Sequence, residues 1–476
     1  MMQQLRWSGV ISLLTFLLLG SGAQLVAADP ADLMLPRYRL QAGQELVFRG
    51  RSEFHYKGGQ FLQREAWNCW VVRENPDHTW RIILKRVSTF TQLSETAGDD
   101  ERKATLQKHA ENLNDTDALD EVEFVQFDFA PDGRCQESTS LGFLTRPHKV
   151  LPSLPQTLAE GQKGWKTQND KLNETIAYRL LPGSGANECL IETLDESPFN
   201  TISGVVQQTR VTFDLQRGLP SKFATEIRQT FGFEGKGTGT FELAELKTHS
   251  AEVCQQFSAE AEQCLSQLDG YQQACQRQNL PPKELRSALL KREEDLQELE
   301  QKLQSPELKT LMMQRAKARE SVLKYIFEAA KDRQALLGTA SETWKTTDFA
   351  GTEYSLKDCR GKVVVLEFWF RRCFWCIRAM PQVKEVAAHF KDQPVVVFGM
   401  NTDAKDDDAK FVVEKMGLNY VNLKAAELTS GYKVSGFPTL LILDQQGIIR
   451  DVHEGCSLTL KEEVIRSVEK LLATPP

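Results

Sequence analysis

The sequence predicts a multidomain protein with an N-terminal, mostly antiparallel β region, a central α-helical hairpin or bundle and a C-terminal α/β domain. With 476 residues, the chain is too long for a single hydrophobic core. In the N-terminal part, apolar and polar residues alternate as in strands. In the central part, apolar residues are spaced three or four apart as in helices, and in the C-terminal part strand patterns alternate with helix patterns. We divide the chain into residues 1–28, 37–250, 251–337 and 341–476.

The bulk composition limits the function classes. Apolar residues make up 41% and charged residues 26% of the chain, as in ordinary globular proteins. The net charge is −7 and the sequence has no basic stripe, which argues against a nucleic-acid partner. The seven histidines are scattered, and only one pair of the ten cysteines has Cys-x-x-Cys spacing. We therefore predict no metal site and no cofactor.

The first 28 residues have the features of a secretory signal peptide. Arg6 supplies a positive flank, residues 11–19 form an apolar core that is short for a bilayer span, and Val26-Ala27-Ala28 is a small-residue cleavage site. We predict export to the periplasm or cell envelope, with cleavage after Ala28. The alternative is an uncleaved anchor, and in both cases the domains lie outside the cytoplasm.

Residues 37–250 contain long strand-like runs joined by turn signals such as Lys57-Gly58-Gly59. The runs predicted as strands are residues 38–56, 60–73, 80–84, 122–129, 205–215, 222–233 and 238–246. They indicate an antiparallel meander with one solvated face, and the polar residues 95–120 are predicted to be an exposed excursion. The region is either a recognition surface for a partner or an apolar ligand, or a spacer. Trp67, Trp70 and Trp80 either line a pocket or belong to the core.

Residues 251–337 change to a helical pattern. The first helix has residues at heptad spacing, namely Cys254, Phe257, Ala261, Cys264, Leu268, Tyr271 and Cys275. Pro281-Pro282 separates it from a second helix, and Ser305-Pro306-Glu307 opens a third. We expect a rigid arm or a surface for self-association. The three cysteines are either redox partners of Cys373 or small buried residues.

The most informative stretch follows a buried strand at residues 363–368. Cys373 and Cys376 lie where this strand ends and a helix begins, so the first sulfur should meet free backbone N–H groups and the positive end of the helix dipole. Both effects favour the thiolate, which is the nucleophile of disulfide exchange. We expect Cys373 to be the exposed attacking residue and Cys376 to be more buried and to resolve the mixed disulfide. Arg371 and Arg372 either favour the thiolate further or are solvated.

Three motifs in the C-terminal part resemble the thioredoxin superfamily, and within it the exported TlpA/ResA type of bacterial thiol–disulfide oxidoreductases. They are Glu367-Phe368-Trp369, Cys373-Phe374-Trp375-Cys376 and Gly436-Phe437-Pro438-Thr439. The resemblance covers residues 343–473 and none of the first 340. It implies an α/β thioredoxin fold and dithiol–disulfide exchange with exported proteins, together with an upstream redox partner that the sequence does not identify.

The resemblance also implies residue roles. Pro438 should follow a cis peptide bond and lie against the two sulfurs, while the Phe437 backbone pairs with an extended substrate segment. Trp369, Phe374 and Trp375 join Phe437 as expected substrate contacts. Glu367 aligns with the buried acid that takes and returns the proton of the resolving thiol, with a pKa raised by desolvation. Its alternative role is a strand-end acid paired with a surface base.

The chain departs from the family pattern at several positions. Arg372 replaces the usual Trp before the first cysteine, bulky residues separate the two cysteines, and Gly399 aligns with a lysine of cytoplasmic thioredoxins. The direction of electron transfer is therefore not predicted. Cys359 and Cys456 lie outside the motif and are either packed thiols, which we expect, or a second redox centre.

Two other functions remain in competition. A peroxiredoxin-like (AhpC/TSA-type) antioxidant shares the fold, but its peroxidatic cysteine typically has a Thr three residues earlier, where this chain has Phe370. A cell-envelope scaffold would bind a partner through its first two domains and use the redox domain only as an accessory. A peroxide-consumption assay and partner capture by residues 29–340 distinguish these hypotheses.

Overall fold

A computed structural model describes residues 34–94, 98, 104, 121–139, 147–169, 174–232, 234–276, 280–457 and 459–473. The predicted signal peptide and nearly all of residues 95–120 lie outside the described residues. Within the described ranges, no helix is both long enough and apolar enough to cross a membrane.

An eleven-stranded antiparallel sheet dominates the first half of the chain. Its strands are β1 (Gln44–Tyr56), β2 (Gly59–Glu74), β3 (Trp80–Ser94), β4 (Glu121–Phe129), β5 (Cys135–Thr139), β6 (Trp165–Asn169), β7 (Glu174–Pro182), β8 (Glu188–Asp195), β9 (Val205–Asp214), β10 (Leu219–Gln229) and β11 (Gly235–Thr248). The order is β5-β4-β3-β2-β1-β11-β10-β9-β8-β7-β6. Strands β1 to β5 are consecutive neighbours, and so are β6 to β11. The pairing of β1 with β11 joins the two runs, and β5 and β6 are the edge strands. The predicted meander is therefore confirmed.

Several elements of this region were not predicted. Strands β5 to β8 were missed because they are short or carry charged residues among their apolar ones. The helices α1 (Leu158–Lys163) and α2 (Pro198–Ser203) were missed as well. Strand β1 begins at Gln44 and not at residue 38, because the N–H of Tyr38 donates to the carbonyl of Pro131 and not to a neighbouring strand.

Apolar residues are buried on both faces of the sheet. Phe48, Trp67 and Phe127 belong to one core within the sheet region. Trp70 and Phe124 belong to a second core, which the sheet shares with the helices that follow. The predicted solvated face is therefore wrong for this part of the sheet, because the helical segment covers it. All three tryptophans considered above are buried.

Residues 251–336 form the predicted helices, which are α3 (Ala251–Gln276), α4 (Pro282–Lys302) and α5 (Pro306–Leu336). The heptad seam of α3 packs against Leu285 and Leu289 of α4. The Ser305 side chain caps α5 by accepting a hydrogen bond from the N–H of Leu308. Cys254 and Cys264 are buried and not in disulfides, as expected for packed thiols. The seam of α3 packs against α4 of the same chain. Self-association through the helical segment therefore stays a prediction.

The C-terminal part has a five-stranded sheet in the order β16-β15-β14-β17-β18. A small hairpin, β12 (Lys345–Thr347) and β13 (Glu353–Ser355), precedes it, and the elements that follow are β14 (Val363–Trp369), α6 (Phe374–His389), β15 (Val395–Asn401), α7 (Asp406–Met416), β16 (Val421–Lys424), β17 (Thr439–Leu443), β18 (Ile449–Glu454) and α8 (Leu460–Leu472). Helices α6 and α8 cover one face of the sheet. The central strand β14 is buried along its whole length, which holds its C-terminal end, and the turn beyond it, in a rigid frame.

A buried histidine connects β18 to α8. The Nε2 of His453 lies 3.1 Å from a carboxylate oxygen of Asp451, and its Nδ1 lies 3.6 Å from one of Glu463. Burial acts to lower the pKa of His453, but the hydrogen bonds and charges of the two carboxylates prevail and raise it to about 9. The histidine is thus held as a cation in the native protein at neutral pH.

Candidate functional site

The two cysteines lie at the junction of β14 and α6, as the sequence predicts. Cys373 has an extended backbone and is the N-cap of α6. The N–H of Cys376 donates to the Cys373 sulfur at 3.0 Å, and the two residues form a disulfide. The N–H of Cys373 donates to the carbonyl of Phe370 at 3.1 Å, which closes the turn. The first sulfur therefore lies at the positive end of the helix.

The burial of the pair differs from the prediction. Cys373 is only 6% exposed and Cys376 is 0% exposed, so the expected exposure of Cys373 is wrong, although Cys376 is the more buried of the two. Ile202 of α2 packs in the same apolar cluster as both cysteines and contributes to this burial, together with residues of the C-terminal part itself. A segment from the first half of the chain thus covers the site.

Glu367 lies in the middle of β14 and is 0% exposed. Desolvation by burial raises the pKa of its carboxyl to about 7, and the hydrogen bond from Tyr420 acts in the opposite direction. The hydroxyl of Tyr420 donates to Oε2 at 2.7 Å, while Oε1 has no hydrogen-bond partner among the described residues. The alternative of a strand-end acid paired with a surface base is therefore wrong. A carboxyl of this kind can exchange a proton near neutral pH.

Gly399 lies opposite Glu367 in the parallel pairing of β14 with β15. A Cβ atom at this position would lie 2.0 Å from Oδ1 of Asn422 and 2.8 Å from Nε1 of Trp369. These two atoms are themselves joined, because the indole N–H of Trp369 donates to Asn422 at 3.1 Å. Space next to the buried acid is therefore taken by a tryptophan–asparagine pair.

Trp369 was predicted to contact the substrate, and its position does not fit that role. Its side chain is among the largest fully buried ones of the protein and packs in the cluster below the cysteines. A side chain enclosed in this way offers no surface to a substrate. Trp369 instead supports the turn that carries the sulfurs.

The loop before β17 has the predicted cis peptide bond, while contact of Pro438 with the two sulfurs stays a prediction. The Phe437–Pro438 peptide bond is cis, and the Phe437 ring packs in the cluster of the two cysteines and meets Phe370 edge-on at 5.0 Å. The N–H of Gly455 donates to the Pro438 carbonyl at 2.8 Å. Within the described part of the chain, the N–H and carbonyl of Phe437 have no backbone hydrogen-bond partner.

Phe374 and Trp375 lie between the two cysteines in sequence and form the outer rim of the cysteine pair. Both are half-buried, and their rings meet edge-on at 5.2 Å. The guanidinium of Arg378 lies 5.8 Å from the centre of the Phe374 ring and 5.4 Å from that of Trp375. The two rings are thus held in place beside Cys373, at distances at which cations are attracted to aromatic faces.

Arg371 is not solvated. Its Nη1 lies 2.9 Å from an oxygen of Asp408, and its Nε donates to the carbonyl of Ile202 at 2.9 Å. The guanidinium also lies 3.7 Å from the centre of the Phe231 ring. Arg372 is exposed and lies so close to Gly232 that a side chain there would collide with it. Both arginines therefore face the turn between β10 and β11.

The two remaining cysteines of this part are packed thiols, as expected. Cys359 is buried, Cys456 is half-buried and neither is in a disulfide. Desolvation raises the pKa of the Cys456 thiol to about 11, so it is not a thiolate at neutral pH. Among the residues that the structure describes, no group of three or more His, Cys, Asp or Glu side chains could hold a metal ion.

Three parts of the site were missed from the sequence. Tyr420 has no motif around it, although its hydroxyl binds the buried acid. Helix α2 has local signals, because Ser197 is the N-cap, Pro198 is the first residue and Gly204 ends it with a φ of 67°. Phe231 follows strand β10. Local signals predict a helix, but they do not predict that it packs on cysteines far away in the sequence.

A dithiol pair at the start of a helix, a buried acid in the preceding strand and a cis-proline loop beside the sulfurs define a thioredoxin-like domain. The AhpC/TSA family model matches residues 337–452, and the C-terminal segment is a domain of this thioredoxin-like type. The chain is 29% identical over 137 residues to the thiol-disulfide oxidoreductase ResA of Geobacillus kaustophilus, which covers 28% of this chain and 78% of ResA. It is 28% identical over 138 residues to the thioredoxin-like protein YneN of Bacillus subtilis, which covers 26% and 75%.

Solved structures match part of the chain. One is the thioredoxin domain of a thiol-disulfide oxidoreductase from Bacteroides vulgatus, with 26% identity and a TM-score of 0.26, covering 28% of this chain and 97% of that one. Another is a secreted disulfide oxidoreductase of Mycobacterium tuberculosis homologous to DsbE of E. coli, with 25% identity and a TM-score of 0.25, covering 27% and 96%.

Proposed function

We propose that this protein is an exported thiol–disulfide oxidoreductase that exchanges a dithiol and a disulfide with protein substrates through Cys373 and Cys376. One observation carries the proposal. The disulfide of these cysteines lies at the start of α6, and the strand before it contains a buried carboxyl with a pKa of about 7. A nucleophilic sulfur and a proton acceptor suited to neutral pH are thereby combined in one site.

The reaction proceeds in two exchange steps. In the reduced protein, the Cys373 thiolate attacks a substrate disulfide, one substrate sulfur leaves as a thiolate, and a mixed disulfide forms. The Cys376 thiol then passes its proton to Glu367 and attacks the Cys373 sulfur, which releases the second substrate thiolate. Two electrons move to the substrate and the protein is left with its Cys373–Cys376 disulfide. The same steps in reverse oxidise a substrate dithiol.

The loop of Phe437 supplies the proposed contact with the polypeptide around the reacting sulfur. Its N–H and carbonyl, which lack a backbone partner among the described residues, pair with an extended substrate segment as a neighbouring strand would. The rings of Phe374 and Trp375 flank the same sulfur and contact apolar side chains of that segment. Protein thiols and disulfides are therefore the substrate class, and a separate redox partner regenerates the site.

Two cysteine variants test the mechanism. The wild-type protein should accelerate the reduction of insulin by dithiothreitol, and Cys373→Ser should abolish this acceleration. Cys376→Ser should accumulate a mixed disulfide with insulin, because the resolving thiol is missing; mass spectrometry detects it. An unchanged rate with Cys373→Ser would refute the mechanism. The reduction potential of the pair then gives the direction of transfer, since reductases lie near about −270 mV and oxidants near about −120 mV.

Peroxide reduction is the second candidate, because the matching family model is that of the AhpC/TSA proteins. Phe370 occupies the position of the threonine expected before a peroxidatic cysteine, which favours the first proposal. Consumption of hydrogen peroxide by the reduced protein, at a rate that Cys373→Ser abolishes, would favour the second.

Location in the periplasm or cell envelope is part of the proposal. It rests on the charged flank, apolar core and small-residue site of the first 28 residues. N-terminal sequencing of the protein recovered from the envelope fraction should begin at Asp29. A cytoplasmic protein with an intact N-terminus would contradict this.

A further inference from the structure

Two segments from the N-terminal sheet region pack against the redox site and the arginines that precede Cys373. One is helix α2 (Pro198–Ser203) and the other is the turn at Phe231 and Gly232; together we call them the cap. Ile202 is 1% exposed and packs in the cluster of Cys373 and Cys376. The low exposure of the attacking sulfur, which sequence reasoning expected to be accessible, coincides with this cover.

The cap makes direct contact with the rim of the cysteine pair. The ring of Phe199 meets that of Phe374 edge-on, with centroids 5.0 Å apart. Phe374 is the residue that follows Cys373, so α2 contacts the immediate neighbour of the sulfur that an incoming thiolate must reach. Aromatic rings in this geometry attract each other beyond the effect of the area that they bury. Such a contact is strong enough to favour closure and weak enough to be broken.

Arg371 holds both segments of the cap. Its Nε donates to the carbonyl of Ile202, and its guanidinium lies 3.7 Å from the centre of the Phe231 ring. On the other side the guanidinium lies 4.4 Å from the Phe411 ring and is paired with Asp408. One side chain of the redox domain is thus clamped between α7 and the cap, which is a positioning role and not a catalytic one.

The two segments of the cap are joined to each other. The N–H of Thr230 donates to the carbonyl of Gly204 at 2.8 Å, and its hydroxyl donates to the same oxygen at 3.2 Å. Gly204 is the C-cap of α2. Helix α2 and the turn after β10 are therefore held together as one unit.

We propose that α2 is an intramolecular cap that controls access to the Cys373 sulfur, so that exchange requires α2 to be displaced. This inference rests on the proposed function of the site. In the oxidised protein, a thiolate of dithiothreitol attacks the Cys373 sulfur, the Cys373–Cys376 bond breaks, and Cys376 leaves as a thiolate. The second sulfur of dithiothreitol then releases Cys373 and closes its own ring, so that two electrons reach the protein. The dithiothreitol sulfur must approach Cys373 in line with the Cys373–Cys376 bond that breaks, and the cap obstructs that approach.

The cap also implies a preference among substrates. A segment that contributes an apolar or aromatic side chain can take the place of Phe199 against Phe374 while its backbone pairs with Phe437. A substrate without such a side chain has nothing to replace the contacts that it breaks. Exposed cystines flanked by apolar residues, as in incompletely folded proteins, are therefore the substrate class that the cap favours.

The test compares reduction rates of the oxidised full-length protein. Dithiothreitol is added to the wild type and to Phe199→Ala, samples are quenched with iodoacetamide, and the loss of the Cys373–Cys376 disulfide is followed by mass spectrometry. Removal of the Phe199 ring should speed up reduction at least tenfold. Thr201→Ala is the matched control, because Thr201 is exposed on the same helix, and its rate should stay within twofold of the wild type.

A second variant and an internal control separate opening of the cap from loss of the fold. Phe231→Ala removes the ring against Arg371 and should also accelerate reduction. Cys264 is buried in the helical segment and should stay unreactive towards iodoacetamide in every variant. If Phe199→Ala exposes Cys264, Phe231→Ala decides the question. Equal rates of disulfide reduction in the wild type and in the folded variants would refute the proposal that the cap controls access to Cys373.

The outcome for the cap is distinguishable from that for the proposed function. Equal reduction rates together with normal insulin reduction would leave the oxidoreductase and remove the cap. Accelerated reduction by dithiothreitol would support the cap even if no variant reduced insulin, and the absence of insulin reduction would count against the proposed function alone.

Discussion

Replacing Glu367 with Gln should remove a pH dependence of stability that the wild-type protein has. The carboxyl is fully buried, and burial raises its pKa from the ordinary value of 4.5 to about 7. Between these two values the native state binds a proton that the unfolded state has lost. The free energy of unfolding of the wild type therefore falls as the pH rises through this window and levels off above it.

The size of the effect follows from the same two values. Each pH unit inside the window changes the free energy of unfolding by about 1.4 kcal/mol. From pH 5.5 to pH 8.5, the wild type should lose about 2 kcal/mol relative to Glu367→Gln, most of it below pH 7. Because the substitution also affects the absolute stability, the difference in slope between the two proteins is the quantity that tests the pKa of Glu367.

The assay is urea unfolding of the oxidised full-length protein at both pH values, followed by near-ultraviolet circular dichroism. Oxidation keeps Cys373 and Cys376 from titrating, and every other ionisable group is the same in the two proteins. An infrared difference spectrum supplies an independent readout, because the protonated carboxyl band of Glu367 should disappear near pH 7. Parallel stability curves and no such band would show that Glu367 ionises like an exposed carboxyl, and its role in proton transfer would then be lost.

Three further substitutions test neighbouring features. Tyr420→Phe removes the hydrogen bond that lowers the pKa of Glu367, so the infrared midpoint should move to higher pH; a fall would contradict this. Gly399→Ala forces a Cβ against Asn422 and should cost about 1–3 kcal/mol in urea unfolding, and a neutral result would refute the crowding. His453, with a native pKa of about 9, stabilises the protein fully below its ordinary pKa of 6.5, and this stabilisation is lost as the pH rises through 9. His453→Gln should therefore be less stable than the wild type at pH 6 and approach it above pH 9, and a constant difference would exclude the linkage.

The parts of the fold that were predicted correctly are those with strong local patterns. The heptad spacing of residues 254–275 led to α3, and the Ser305-Pro306-Glu307 cap signal led to the start of α5. The apolar run of β14 was recognised because it is buried on both faces. Strand β8 was missed because its own alternation of apolar and polar residues is too short to indicate a strand. It is a strand because it pairs with β7 and β9.

The same distinction applies to the site. The order of burial of the two cysteines and the raised pKa of Glu367 follow from a strand that ends where a helix begins, which is local information. The exposure of Cys373 was predicted wrongly because part of its cover comes from Ile202, which is far away in the sequence. The hydrogen bond from Arg371 to the Ile202 carbonyl spans 169 residues. No pattern within a window of one helix or strand contains such a contact.

Arg371 shows why charge near a motif is a weak guide to the chemistry of that motif. Its position two residues before Cys373 suggested a positive charge that favours the thiolate. In the folded protein, this charge is paired with Asp408 at 2.9 Å, and the backbone N–H of Arg371 donates to Asp403. The negative partners offset the field of the guanidinium at the sulfur. Stabilisation of a Cys373 thiolate then falls to the N-terminus of α6 and the N–H of Cys376, which are fixed by the backbone and not by the arginine.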